Sequence, residues 1–350
     1  MIPAYDGIKN YTRPPFAPWY RDGWVCLDKN EPPFPAFNNL EESLAGCLSE
    51  DLRTYPDPYK LYIALSEYLD LDPEQLLITF GSEQAIRFAF ESILNPGDEV
   101  VYPHPTFAMI DVFALNAQAR IDRVEYKEGL QLDAEQFISR IKNSTRLVFL
   151  ANPNNPTGTF FSTQELDEIV KKARDVGAAV LLDEAYFHYS EITGISLIKK
   201  YENLIITRTF SKAWGLAGIR VGYAISNPEN ISQLRKLKPI DEISSLSMHV
   251  CLNALLNHNR ILGRNVGQAT LWKRKFQKAF PHNVPISEGN FVLFRFDRLD
   301  QFESAMQWFK ENRILVKGPF PEKALRLYTR FSIGSDSTME AIFQKLPSFT

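Results

Sequence analysis

A lysine with chemical potential lies in the segment TRTFSKAWGLAGIRVGYA, residues 207–224, directly behind Ser211 and eight residues before Arg220. The apolar run NLIIT that leads into the segment predicts a buried strand, so Lys212 would follow the carboxyl end of that strand. A lysine amine becomes a useful nucleophile when its pocket lowers its pKa, and it can then form a Schiff base with an aldehyde. Lys212 is therefore a candidate for a covalent link to a cofactor.

Polar residues follow other predicted strands in the same way. The strands LLITF, EVVYP, RLVFLA and AAVLL are followed by GSE, HPTF, NPNNPTG and DEAY, respectively. Taken singly, each has a simpler explanation as a helix cap, a turn or a surface charge. Because ligands bind beyond the carboxyl ends of parallel strands, the set is expected to converge on one edge of one sheet.

The converging residues match the chemical groups of pyridoxal phosphate. Hydroxyls and a helix N-terminus at 81–83, together with Ser211 and Arg220, could hold a phosphate. A carboxylate at the end of a buried strand could keep a ring nitrogen protonated. The residues that could contact the ring are Asp183 at the nitrogen, Tyr186 and Asn155 at the hydroxyl, and Phe107 by stacking.

The elements that must position these residues form an α/β pattern. From about residue 76, apolar strands alternate with amphipathic helices, which predicts a mostly parallel sheet with both faces covered. Ser82 is expected to cap the helix after LLITF. Capping boxes are expected at Ser162 with Glu165 and at Ser337 with Glu340. From about residue 245 the pattern changes to that of a smaller α+β domain.

Three segments follow from this pattern. Residues 1–38, rich in proline and aromatic residues, would form an N-terminal arm that contributes to the small domain and to dimer contacts. Residues 39–245 would form the large cofactor-binding domain, and residues 246–350 the small C-terminal domain.

Composition excludes several function classes. The 350 residues include 39 lysines and arginines and 42 aspartates and glutamates, for a net charge of −3, which argues against binding to nucleic acid or an acidic membrane. No run approaches the ~20 apolar residues that a membrane span needs. The three cysteines are far apart, so we expect a reducing cytoplasm, no disulfides and no metal site.

The chain resembles the fold-type I, class I/II aminotransferases, and most closely the histidinol-phosphate aminotransferase family. The resemblance covers nearly the whole chain. It rests on the motifs LDKNEPPF (27–34), YPDP (55–58), GSEQAI (81–86), NPNNPTG (152–158), DEAY (183–186), TFSKAWGLAGIRVGY (209–223) and TRFSIG (329–334).

The resemblance implies roles for individual residues. It makes Lys212 the Schiff-base lysine and proton shuttle, with Asp183 and Tyr186 as further catalytic residues. The implied phosphate contacts are Ser82, Glu83, Thr209, Ser211, Arg220 and, from the neighbouring subunit of a homodimer with shared sites, Tyr55. The implied substrate contacts are Arg330 at the α-carboxylate, Asn30, Asn155 and Lys317, with Glu31 nearby.

Two departures from the family pattern bear on the substrate. Lys317 stands where the family usually has an arginine, and Phe34 stands where it has a tyrosine. The sequence therefore predicts transfer of an amino group to 2-oxoglutarate from histidinol phosphate or an aromatic amino acid. A pyridoxal-phosphate decarboxylase, resembling threonine-phosphate decarboxylases, remains an alternative, as does a non-catalytic protein that binds the cofactor.

Overall fold

The computed structural model describes residues 21–349, which contain both strands and helices. The strands are β1 (Val25–Cys26), β2 (Leu76–Thr79), β3 (Glu99–His104), β4 (Arg120–Glu125), β5 (Thr145–Ala151), β6 (Ala179–Asp183), β7 (Leu204–Thr209), β8 (Gly222–Ile225), β9 (Phe291–Arg295), β10 (Ile314–Leu315) and β11 (Tyr328–Ser332). The helices are α1 (Leu40–Ser43), α2 (Glu50–Arg53), α3 (Tyr59–Leu69), α4 (Gly81–Ile93), α5 (Met109–Asn116), α6 (Ala134–Arg140), α7 (Thr163–Asp175), α8 (Pro228–Arg235), α9 (Ser245–Leu256), α10 (His258–Ala279), α11 (Leu299–Glu311) and α12 (Asp336–Lys345).

A seven-stranded sheet forms the centre of the larger unit. Its strand order is β2-β8-β7-β6-β5-β3-β4, and only β8 runs antiparallel to its neighbours. The α/β fold with a mostly parallel sheet is thus confirmed. Strand β8 cannot be separated in the sequence from the glycine-rich segment after Lys212, because it is only four residues long and follows directly on a loop.

Both faces of the sheet are covered by helices, as its apolar strands predict. Side chains alternate along β5, with Leu147 and Phe149 on one face and Val148 and Leu150 on the other. Helices α4, α5 and α8 pack on the first face, and α3, α6, α7 and α9 pack on the second. This layering leaves the strand ends as the open edge where polar residues can meet a ligand.

Of the three predicted helix caps, one is confirmed and two are wrong. Ser162 and Glu165 form the expected capping box at α7. Ser82 does not cap α4, because the helix begins at Gly81 and places Ser82 in its first turn. At α12 the N-cap is Ser335, two residues earlier than expected, and Ser337 lies inside the helix.

A smaller unit is built around the antiparallel pair β9 and β11. Strand β1 joins it by parallel pairing with β10, so the segment before residue 38 contributes to this unit. Helix α10 reaches both units, with Ile261 in the core of the large sheet and Phe276 in the core of the smaller unit. The first 20 residues of the predicted arm lie outside the described residues, and the domain limits stay a prediction.

Across residues 21–349, none of the helices combines the length and the apolar character that crossing a membrane would require.

Candidate active site

A cavity of about 190 Å³ lies beyond the carboxyl ends of the central strands. It brings together every predicted cofactor residue except Tyr55. These residues are Ser82, Glu83, Phe107, Asn155, Asp183, Tyr186, Thr209, Ser211, Lys212 and Arg220. They come from separate loops and helix ends, and the parallel strands position all of them at one edge.

One end of the cavity is suited to an anion. Helix α4 begins there at Gly81, whose φ of +74° is the left-handed conformation that favours glycine. A side chain at this position would also collide with Arg220, since a Cβ would lie 2.7 Å from Nη2. The glycine therefore lets the guanidinium lie beside the positive end of the helix.

Hydroxyl groups complete this end of the cavity. The Thr209 hydroxyl donates to Ser211 Oγ at 2.9 Å, and Arg220 Nη1 donates to the same oxygen at 3.3 Å. A helix N-terminus, hydroxyls and a guanidinium are the groups that bind phosphates in proteins.

A buried carboxyl group lies at the other end, where β6 stops at Asp183. Burial raises its pKa to about 6, although the hydrogen bond from Thr207 Oγ1 at 2.9 Å opposes the shift. A cationic ring nitrogen placed against this group would favour its charged form, because an opposite charge at close range lowers a carboxyl pKa.

Lys212 lies between this cavity and a second one. Its Nζ donates to the Lys29 carbonyl at 2.8 Å and lies 5.6 Å from the centre of the Tyr186 ring. The Tyr186 hydroxyl accepts from Asn30 Nδ2 at 2.8 Å. The segment around residue 30 thus contacts both the amine and the aromatic ring beside it.

The second cavity, of about 520 Å³, is lined by the predicted substrate residues Asn30, Asn155, Lys317 and Arg330. Arg330 is buried, and its guanidinium donates to Asn155 Oδ1 and, at 2.5 Å, to the Asp28 carbonyl. The Nε atom of Arg330 is buried without a hydrogen-bond partner. Burial also lowers the pKa of the Arg330 guanidinium. An anionic ligand here would offset the desolvation of the guanidinium.

The donor set of the first cavity fits pyridoxal phosphate. The cavity is lined by the anion site, by the buried carboxyl group of Asp183 and by the amine of Lys212. The aromatic ring of Phe107 also borders it. Phosphate, pyridinium nitrogen and aldehyde are the groups of the cofactor that these residues could hold.

Residues 24–346 match the family described as aminotransferase class I and II. The chain belongs to this family. Class I and II aminotransferases depend on pyridoxal phosphate, so this enzyme is a pyridoxal-phosphate-dependent aminotransferase. The predicted cofactor and enzyme class are confirmed.

Individual relatives agree with the family. The aminotransferase is 31% identical over 348 residues to a histidinol-phosphate aminotransferase from Caldanaerobacter subterraneus subsp. tengcongensis, covering 97% of this chain and 95% of the relative. It is 33% identical over 340 residues to one from Thermoanaerobacter pseudethanolicus, covering 94% and 92%. The fold matches the histidinol-phosphate aminotransferase from Sinorhizobium meliloti in complex with pyridoxal-5'-phosphate, with a TM-score of 0.83, 21% identity and coverage of 93% and 90%.

Tyr55 lies outside both cavities of the aminotransferase chain. Its side chain is 85% exposed, which leaves it available to a neighbouring subunit. Its contact with the partner's cofactor stays a prediction.

Several supporting residues of the aminotransferase were not predicted from the sequence. Asn265 of α10 is buried, accepts from the Phe34 backbone N–H at 3.2 Å and donates to the Ala213 carbonyl at 3.0 Å. Arg208 and Glu184 form a buried ion pair at 2.8 Å beside Asp183. In the sequence, the ion pair is indicated only by one charged residue in or beside each of two apolar strands. Asn265 could not be predicted, because a polar residue on an amphipathic helix is usually exposed.

Proposed function

We propose that this aminotransferase takes histidinol phosphate as its amino donor and 2-oxoglutarate as its acceptor. The observation that carries the proposal is the pair of cations, Lys317 and Arg330, in the cavity next to Lys212. The donor carries a phosphate and the acceptor carries two carboxylates. Both would place anionic groups beside these cations while the reacting carbon lies near Lys212.

The two cations are held at a fixed spacing by the backbone. Lys317 and Arg330 each donate an N–H to the carbonyl of the other at 2.8 Å. Arg330 presents a planar fork suited to a carboxylate, and Lys317 presents a compact charge at the exposed mouth. Histidinol phosphate has no carboxylate, so its phosphate would contact both cations, whereas 2-oxoglutarate would place one carboxylate at each.

For the chemistry, we assign proton transfer at the substrate Cα to the Lys212 amine. The bound cofactor supplies the electron-withdrawing ring that stabilises the carbanion. Asp183 would hold the ring nitrogen protonated, while Asn155 and Tyr186 would orient the ring hydroxyl. Asn30 restrains the Tyr186 hydroxyl from the substrate side.

For the cofactor phosphate, we assign contacts to the α4 N-terminus and the residues around it. These are Ser82, Glu83, Thr209, Ser211 and Arg220, with Tyr55 from the second subunit of a homodimer. The three free cysteines fit the reducing cytoplasm as the place where the enzyme works.

The donor can be tested in a single half-reaction without acceptor. Purified enzyme is mixed with histidinol phosphate or phenylalanine, and the loss of the lysine-bound cofactor absorption is followed. Lys317→Met should raise the half-saturating concentration of histidinol phosphate by roughly 10-fold through loss of a charge-assisted contact. It should leave that of phenylalanine unchanged, because the single carboxylate of phenylalanine would pair with Arg330.

Lys323→Met is the matched control, since Lys323 is exposed on the same loop and lies outside the cavity. A half-reaction with phenylalanine but none with histidinol phosphate would reject the proposed donor and favour an aromatic amino acid. Release of carbon dioxide from an amino-acid substrate, without transfer of its amino group, would instead support a decarboxylase.

A further inference from the structure

A second cluster of reactive side chains lies outside both cavities, where the loop after α1 meets helix α9. Cys47 belongs to that loop, Asp51 to α2 and His249 to α9. One ligand atom from each lies within 4.8 Å of the others. All three residues are half-buried, so an ion from solvent can reach them.

The cluster is held in place by hydrogen bonds on both sides. Asp51 Oδ2 accepts from the Leu48 backbone N–H at 2.8 Å and lies 3.2 Å from His249 Nε2. On α9, Asn253 donates to the Ser43 carbonyl at 3.1 Å and to the Ala45 carbonyl at 3.0 Å. Because His249 and Asn253 are four residues apart, they share one helix face, and this face holds the loop against the helix.

We propose that Cys47, Asp51 and His249 bind a zinc ion. Thiolate, imidazole and carboxylate are the three ligand types that zinc takes in proteins, whereas calcium and magnesium prefer oxygen alone. Three protein ligands leave the fourth tetrahedral position to water. The carboxylate, hydrogen-bonded by the backbone, is oriented in the way that supporting contacts orient metal ligands.

This site differs from the sequence-based expectation of no metal. The three cysteines have no ligand spacing among themselves, and His249 lies far along the chain from Cys47. Only the packing of α9 against the loop brings them together. The ion would tie the segment before Tyr55 to the larger unit, so the site is structural and separate from the transamination chemistry.

The test uses the holoenzyme after removal of metals with a chelator. Dialysis against zinc, with metal measured by mass spectrometry, should give one ion per chain. With cobalt as the probe, a thiolate-to-metal charge-transfer band should appear. Cys47→Ser should abolish that band, and His249→Ala should weaken zinc binding by at least roughly 10-fold.

The matched controls are Cys26→Ser and His282→Ala, which alter a half-buried cysteine and an exposed histidine outside the cluster. Both should bind zinc as the unchanged protein does. A further measurement needs no variant: zinc should slow alkylation of Cys47 and leave that of Cys26 unchanged.

The proposal is overturned if the unchanged holoenzyme shows no cobalt–thiolate band, or if zinc does not protect Cys47. It is equally overturned if the Cys47 and His249 variants bind zinc as tightly as the two controls. None of these readouts depends on the amino donor, so they stay distinct from the test of the transamination proposal.

Discussion

The Asp183 carboxyl group is buried next to a cavity that must accept a cationic ring. Without that ring, its pKa is raised from 3.8 to about 6, mainly by desolvation. The protein thus holds a carboxyl group whose charged form is less favoured than in water until a positive charge arrives. Thr207 limits the shift by donating its hydroxyl at 2.9 Å.

This shift predicts a pH-dependent stability for the cofactor-free protein. Between about pH 4 and pH 6, the folded chain keeps a proton on Asp183 that the unfolded chain has released. The free energy of unfolding should therefore fall as the pH rises through this window, by up to ~3 kcal/mol for this group. Asp183→Asn, which is neutral and can still accept from Thr207, should remove that part of the decline.

The measurement is urea unfolding of the cofactor-free protein at several pH values. Asp241→Asn is the control, because it makes the same replacement at an exposed position outside both cavities. Equal slopes for the unchanged protein and Asp183→Asn would contradict the prediction.

Single residues of the site were largely predictable from the sequence. Polar residues that follow parallel buried strands are expected to meet at one edge of the sheet. The predicted cofactor residues other than Tyr55 do meet there, in one cavity. The hydrogen bonds of Thr207 and Asn30 were not predictable. They depend on strand register and on the packing of distant segments, which local pattern does not fix.

The elements around the anion site are packed closely at the contact between α4 and β8. Gly222 starts β8, and a Cβ there would lie 2.2 Å from the Ser82 backbone nitrogen and 2.5 Å from the Gly81 carbonyl carbon. Glycine is therefore needed for the strand to pass beside the helix N-terminus. The same close approach keeps the helix end aligned with the cavity.

Gly222→Ala should push α4 away from the strand. We expect a loss of about 3 kcal/mol in unfolding free energy, at the upper end for overpacking, because the collision is with backbone. The affinity for pyridoxal phosphate should also fall. Both are measured on the same preparation, by thermal unfolding and by equilibrium dialysis of the cofactor.

Gly218→Ala is the matched control, since a Cβ at Gly218 would meet nothing within 4 Å. If the two alanine variants behave alike in stability and cofactor affinity, close packing at Gly222 does not shape the anion site.

The hydrophobic pattern of the sequence predicted most strands and helices correctly, but it did not predict the residues at which some of the helices begin. At α12 the helix begins two residues earlier than the sequence predicts, so Ser335, rather than Ser337, accepts from the Thr338 N–H at 3.4 Å. Strand β8 was not predicted, because it is defined by its pairing with β2 and β7, which are distant from each other in sequence.

We predict that the whole molecule works as a dimer in which Tyr55, 85% exposed and outside both cavities of its own chain, contacts the partner's cofactor. A mixed dimer tests this directly. Combining a Tyr55→Phe chain with a Lys212→Ala chain should restore activity, since one site then joins an intact lysine to the partner's intact tyrosine. Each variant alone should be impaired.

Activity is measured after co-expression and separation of the mixed dimers by two affinity tags. In the control, Tyr59→Phe replaces Tyr55→Phe, because Tyr59 is a nearby tyrosine that is 66% exposed. A Tyr59→Phe homodimer should keep full activity. If the Tyr55→Phe homodimer keeps it too, the tyrosine does not reach a shared site.

At the largest scale, the sequence indicated two folded units and their order along the chain. It did not indicate how they join, because the parallel pairing of β1 with β10 connects segments from opposite ends of the chain. That pairing has no local signal in strands of two residues.

The segment between residues 27 and 37 connects the two units across the active site. Leu27 is anchored in the smaller core and Phe37 in the larger one, while Lys29 and Asn30 between them contact Lys212 and Tyr186. The segment therefore connects the core of the smaller unit to the core of the larger one through the active site. Because residues 27–37 are anchored in both cores and contact Lys212 and Tyr186, the surroundings of the amine depend on how the two units are joined.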